Sequence, residues 1–143
     1  MKTDSIFYRI FKEYPAAFFE LLGQPGDIAQ HYKFASVEVK QTSFRIDGVF
    51  IGDSSNIPSY FVEVQFQEDK RFFERTIAEI FLFLSQSELV GSWRFVIWVA
   101  KRNMLPSLPL KYQIIEPNIS IFYLDQLTEM GTKSLGVRII DLV

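Results

Sequence analysis

Two apolar runs that read as strands flank a third run that reads as a helix. Tyr60 to Phe66 is Tyr-Phe-Val-Glu-Val-Gln-Phe, β-branched and aromatic with an alternating polar pair. Arg94 to Ala100 contains Phe-Val-Ile-Trp-Val-Ala, the continuous apolar run of a strand covered on both faces. Between them, Lys70 to Glu88 sets Phe73, Ile77, Ile80, Phe81 and Leu84 on one helical face. Phe72, Leu82 and Phe83 widen that face, and Gly91 is expected to end the helix. A strand, a helix and a strand in this order make a right-handed parallel crossover. The chain must therefore build a sheet with at least one helix packed on it.

The segments before the crossover read in the same way. Thr3 or Asp4 can cap a helix with the stripe Ile6, Phe7, Ile10 and Phe11. Tyr14-Pro15 interrupts it, since proline disfavours a helical residue before it and suits the first turn of a new helix. The second piece, Ala16 to Leu22, buries Phe18, Phe19, Leu21 and Leu22, and Gly23 stops it. After the turn cluster Gln24-Pro25-Gly26-Asp27 come strands at Phe34 to Val39 and Phe44 to Ile51. Gly52 to Asn56, with Pro58, forms a hairpin loop leading into the Tyr60 strand. Pro106 and Pro109 mark a later loop, and Ile119 to Leu124 is a last strand. The expected class is α/β: one domain over residues 1–143, with a mixed central sheet flanked by helices. The apolar tail from Val137 to Val143 suits a docked terminus, a homodimer contact or a chain that continues.

Composition removes several function classes. There is no cysteine, so disulfides, thiolate metal sites and a cysteine nucleophile are excluded. The single His31 cannot form a multi-histidine cage; it falls among turn residues and reads as a surface group. No serine stands in a Gly-x-Ser-x-Gly setting. The net charge is −2, so any nucleic-acid contact must rest on a local site instead of a basic surface. No apolar run is long enough to span a membrane, and Met-Lys-Thr-Asp-Ser opens no secretory leader, which makes a cytoplasmic location the default.

One constellation carries chemistry. Strand alternation puts Phe61, Glu63, Gln65 and Gln67 on one face, and Arg45, Asp47 and Val49 on one face of the preceding strand. A hairpin centred near Ser55 pairs residues whose numbers sum to 110, setting Asp47 against Glu63 and Arg45 against Gln65. Directly opposed residues have Cβ atoms about 4.5–5.5 Å apart. Two carboxylates at that spacing repel, and a proton, an arginine or a divalent cation can offset the repulsion. Oxygen donors of this kind suit Mg²⁺ or Mn²⁺. From pattern alone the simpler reading is that both acids are surface charges paired with Arg45 or with Arg75 of the following helix, since structural ion pairs outnumber metal sites.

The residues Asp4 to Phe11, Ser43-Phe44-Arg45-Ile46-Asp47-Gly48-Val49-Phe50 and Tyr60-Phe61-Val62-Glu63-Val64-Gln65, with the helix Phe72 to Leu84, resemble a known group. It is the PD-(D/E)XK phosphodiesterase superfamily, in particular its Rpn-like branch (recombination-promoting nuclease, transposase-like) of bacteria. The resemblance spans about residues 4 to 100. It implies a restriction-endonuclease-like core of one helix, three strands, a helix and a strand. It implies a magnesium-dependent DNA endonuclease in which Asp47, Glu63 and the backbone carbonyl of Val64 hold Mg²⁺ or Mn²⁺. Gln65 takes the place where the superfamily usually has lysine, as is typical of the Rpn-like branch; it can orient the attacking water but adds no charge. Loss of such a charge costs on the order of 3 kcal/mol in the transition state. Asp4, or alternatively Glu20, matches a further acid near the metal.

Lys40, Arg45, Arg71 and Arg75 are the foremost candidates for DNA phosphate contacts, with Lys70, Lys101 and Arg102 behind them. Lys70 with Glu74 and Arg75 with Glu79 stand four apart and can also be simple helix-surface pairs. DNA binding is expected to be weak and salt-sensitive. The neutral Gln65 and the acidic balance leave an alternative open: a catalytically weak or inactive nuclease-fold module for DNA binding or protein assembly.

Overall fold

The computed structural model describes residues 3–38 and 45–127, with the side chains of residues 3–5, 37, 38, 45, 47, 126 and 127 outside the description. The strand start near Phe44 and the tail Val137 to Val143 therefore lie outside the described residues. Helix α1 spans Thr3–Glu13 and α2 spans Pro15–Leu21, with Pro15 in the first turn of α2. The second helix ends in a Schellman turn: Gly23 has φ +80°, its N–H donates to the Glu20 carbonyl, and Gln24 N–H donates to the Phe19 carbonyl. A 3₁₀ turn over Gly26–His31 follows.

Among the described residues five strands make one sheet in sequential order: β1 Tyr32–Glu38, β2 Arg45–Gly52, β3 Ser59–Gln65, β4 Trp93–Val99 and β5 Ile119–Tyr123. The first three are antiparallel neighbours; β3, β4 and β5 are parallel. Helix α3, Phe72–Gln86, makes the crossover from β3 to β4, and a short α4, Leu124–Leu127, follows β5. The fold is thus a mixed α/β sheet flanked by helices, compatible with a nuclease-like core.

Alternation sorts the sheet into two cores. On one face Phe50, Tyr60, Val62, Val64, Val96 and Trp98 pack against Phe7, Phe11, Phe18 and Phe19 of α1 and α2. On the other, Ile46, Val49, Phe61, Phe95, Ile97 and Val99 pack against Phe72, Phe73, Ile77, Ile80 and Phe83 of α3. Strand β4 is buried on both faces, as its unbroken apolar run requires.

Two details of the helix differ from expectation. Phe81 leaves the apolar face and is 46% exposed, its edge against Trp93, whereas Phe83 is buried. Gly91 does not end α3, which stops at Gln86 with extended Ser87 after it. Gly91 instead lies against the hairpin loop, where a Cβ would come within 3.1 Å of the Ile57 carbonyl.

Candidate functional site at the parting of two strands

The β2–β3 hairpin keeps the register expected from its symmetry: Phe50 pairs Tyr60, Val49 pairs Phe61 and Gly48 pairs Val62, each sum being 110. Asp47 is the next step along β2, and Glu63 the next along β3. Here β2 departs from simple alternation. Its pairing with β1 shifts by one residue between Ala35↔Val49 and Val37↔Ile46, so Asp47 and Gly48 together face Ser36. That is a β-bulge, a device that bends a strand and re-aims a side chain. With it, Ile46 and Val49 both enter the α3-side core, so strict alternation is broken between them; the side chains of Arg45 and Asp47 lie outside the described residues.

Helix α1 fills the gap beside the bulge. The Tyr8 hydroxyl accepts the Val64 N–H at 3.0 Å, and it lies 3.5 Å from both Glu63 Oε2 and the Val62 carbonyl. A backbone donor of β3 that does not meet β2 is thereby satisfied by a side chain. The ring lies over Gly48, where a Cβ would be 3.0 Å from Tyr8 Cδ1 and 3.1 Å from Phe34 Cζ. Only a residue without a side chain leaves room for the tyrosine at this point.

From the opposite face α3 brings charge. Glu63 pairs with Ile97 and Gln65 with Val99, and both partners belong to the α3-side core. Arg75 of α3 donates from Nε and Nη2 to Asp69 Oδ2 at 3.3 and 3.1 Å. Its Nη1 lies 3.6 Å from Glu79 Oε1, and Glu79 is only 5% exposed. Burial works against the Arg75 charge, but the carboxylate of Glu63, then the Asp69 hydrogen bond and Glu79, hold its pKa above the usual arginine value. Asp69 also accepts the Arg71 N–H at 3.0 Å, so one carboxylate starts the helix and clamps the arginine. Gln65 is 8% exposed, and its amide Nε2 donates to the Gln67 carbonyl.

The other expected site residues fall as follows. Asp4 lies in the first turn of α1, with its side chain outside the described residues, as is that of Asp47. The Glu20 carboxylate lies over Gly26, beside the 3₁₀ turn after α2. Lys40 is outside the described residues, and Arg45 is placed through its backbone pairing with Glu38. Arg71 is exposed at the start of α3, and Arg102 stacks at 4.4 Å on Tyr123 of β5. His31 is exposed and pairs with Asp53 at 3.1 Å. Tyr8 and Asp69 escaped sequence reasoning. Asp69, two residues before the helix start at Arg71–Phe72, carried a helix-start signal; Tyr8 carried none.

The match to a known family spans residues 3–143, and the description of that family is Protein of unknown function (DUF2887). The chain belongs to the DUF2887 family. No curated protein and no solved structure matches it. Within this DUF2887 chain, no helix of the described residues is long and apolar enough to cross a membrane. Among the described residues no three of His, Asp or Glu come together as a ready cation cage. Beside Gly48 the Tyr8 hydroxyl lies 3.5 Å from the Glu63 carboxylate and from the Val62 carbonyl, all oxygen donors. That set suits a hard divalent ion that keeps most of its own water.

Proposed function

We propose that this DUF2887 chain is a Mg²⁺- or Mn²⁺-dependent nuclease that hydrolyses phosphodiester bonds in DNA, of the Rpn-like, transposase-related PD-(D/E)XK kind. The observation that supports the reading is the hairpin register down to Gly48↔Val62, beyond which Asp47 and Glu63 are the next residues of the two strands. Glu63 and Asp47 would hold the cation, with the Val64 carbonyl as a further oxygen. Such an ion lowers the pKa of a bound water and polarises a phosphoryl oxygen.

The chain's own groups do the rest. The Tyr8 hydroxyl, fixed by the Val64 N–H, steadies the Glu63 carboxylate from the α1 side. Gln65 orients water by hydrogen bonding and contributes no charge. In the reaction water adds to phosphorus, one ester P–O bond breaks, and the leaving oxygen takes up a proton. DNA contact is local and weak, in keeping with a net charge of −2.

Nicking of supercoiled plasmid with Mg²⁺ or Mn²⁺ tests the proposal. Glu63→Ala and Asp47→Ala are each expected to cut the rate by about 100-fold or more. Activity that survives both substitutions removes the site. The neutral Gln65, tied to the Gln67 carbonyl, favours a second reading: a nuclease fold that binds DNA or assembles without cutting. Calorimetric titration separates the two, since Mn²⁺ binding with no cleavage under any condition fits only the second.

A further inference from the structure

Position 65 leaves the motif short of one positive charge, and α3 carries one on the face to which Glu63 and Gln65 turn. Arg75 is held from two directions, by Asp69 on the chain before the helix and by the buried Glu79 one turn further on. Its guanidinium also lies 5.8 Å from the centroid of the fully buried Phe72 ring. A planar cation clamped in this way is pre-oriented for a phosphate and loses little freedom on meeting one. Its side chain keeps 41% of its surface open, so an anion can reach it.

Simple surface pairing would not require this arrangement. An exposed helix pair needs one carboxylate, and neither member has to be buried. Here two carboxylates converge on one arginine, one of them nearly inaccessible, and the charge of Glu63 on β3 further favours the charged arginine.

We infer that Arg75 contacts the scissile phosphate beside Glu63 and gives the transition state the positive charge that Gln65 lacks, with Asp69 and Glu79 as its positioning residues. This role rests on the nuclease reading and adds to it the group that stabilises the phosphoryl charge.

The experiment compares wild type, Arg75→Ala, Arg75→Lys, Asp69→Asn and Glu63→Ala in Mn²⁺-dependent plasmid nicking, with Mn²⁺ titration of each. Arg75→Ala is expected to lose about 100-fold in kcat. It should still bind Mn²⁺ and regain part of its rate with added guanidinium ion. Arg75→Lys should lie between wild type and Arg75→Ala. Asp69→Asn, which keeps the arginine but loosens it, should lower kcat more than it changes KM. Wild-type nicking by Arg75→Ala overturns the inference while leaving the nuclease reading intact. So does loss of Mn²⁺ binding together with activity and no guanidinium rescue, which would make Arg75 a purely structural support. Should Arg75→Ala fail to fold, Arg75→Lys and Asp69→Asn decide: wild-type kcat in both overturns the inference. Failure of the wild type to cut, or full activity in Glu63→Ala, overturns the nuclease reading, and the Arg75 role with it.

Discussion

Tyr8→Phe removes one oxygen and with it the acceptor of the Val64 N–H. An unpaired backbone donor in a part-buried place costs about 1–3 kcal/mol, so a drop of that size in a urea midpoint analysis is expected. The same variant should bind Mn²⁺ more weakly than wild type, because Glu63 loses its neighbouring hydroxyl. Gly48→Ala disturbs the same contact from the other side. Its methyl would press on two rings at 3.0 and 3.1 Å, and Tyr8 has to yield. Overpacking of this kind costs about 1–3 kcal/mol. If both variants melt like wild type, Tyr8 is not the wedge at the strand parting.

Between residue and domain, the elements set the site by how they begin and end. The bulge puts two residues of β2 against one of β1 at Asp47 and Gly48, just where β2 and β3 finish their described pairing. Helix α3 begins just after Asp69 takes the Arg71 N–H, and the same carboxylate holds Arg75 one turn later. The first helical pair relies on a different device, the left-handed Gly23. Nothing lies within 4 Å of a Cβ placed there, so Gly23→Ala isolates the backbone cost. A loss of about 1–2 kcal/mol is expected in thermal or chemical unfolding. A neutral result would mean that the turn after α2 rearranges freely.

The whole molecule is held by aromatic packing. Phe18 is fully buried and meets Phe11, Phe19, Phe50, Tyr60 and Trp98 at ring-centroid distances from 4.4 to 6.5 Å. It therefore ties α1, α2, β2, β3 and β4 together. Phe18→Ala is expected to cost about 3–5 kcal/mol, a large part of the stability of a domain this size. Loss of tryptophan near-ultraviolet dichroism at moderate temperature would report it. At the same scale, the proposed nuclease reading with a net charge of −2 predicts that any affinity for duplex DNA falls steeply between low and physiological salt. A binding constant that does not move with salt would count against phosphate contacts and against that reading.

The element order, the break at Tyr14-Pro15, the stop at Gly23 and the 110 register were legible in the residues themselves. Each follows from local rules: the period of apolar positions, the backbone limits of proline and glycine, and the symmetry of a hairpin about its loop. Tertiary structure alone decided the bulge at Asp47-Gly48, the seat of Tyr8 over Gly48, the fit of Gly91 against Ile57 and the clamp on Arg75. The bulge needs β1 to show which residue is extra, and Tyr8 meets Val64 across 56 positions of chain. Contacts between such distant residues leave no period in the sequence, because they depend on where whole elements come to rest and not on how any one of them repeats.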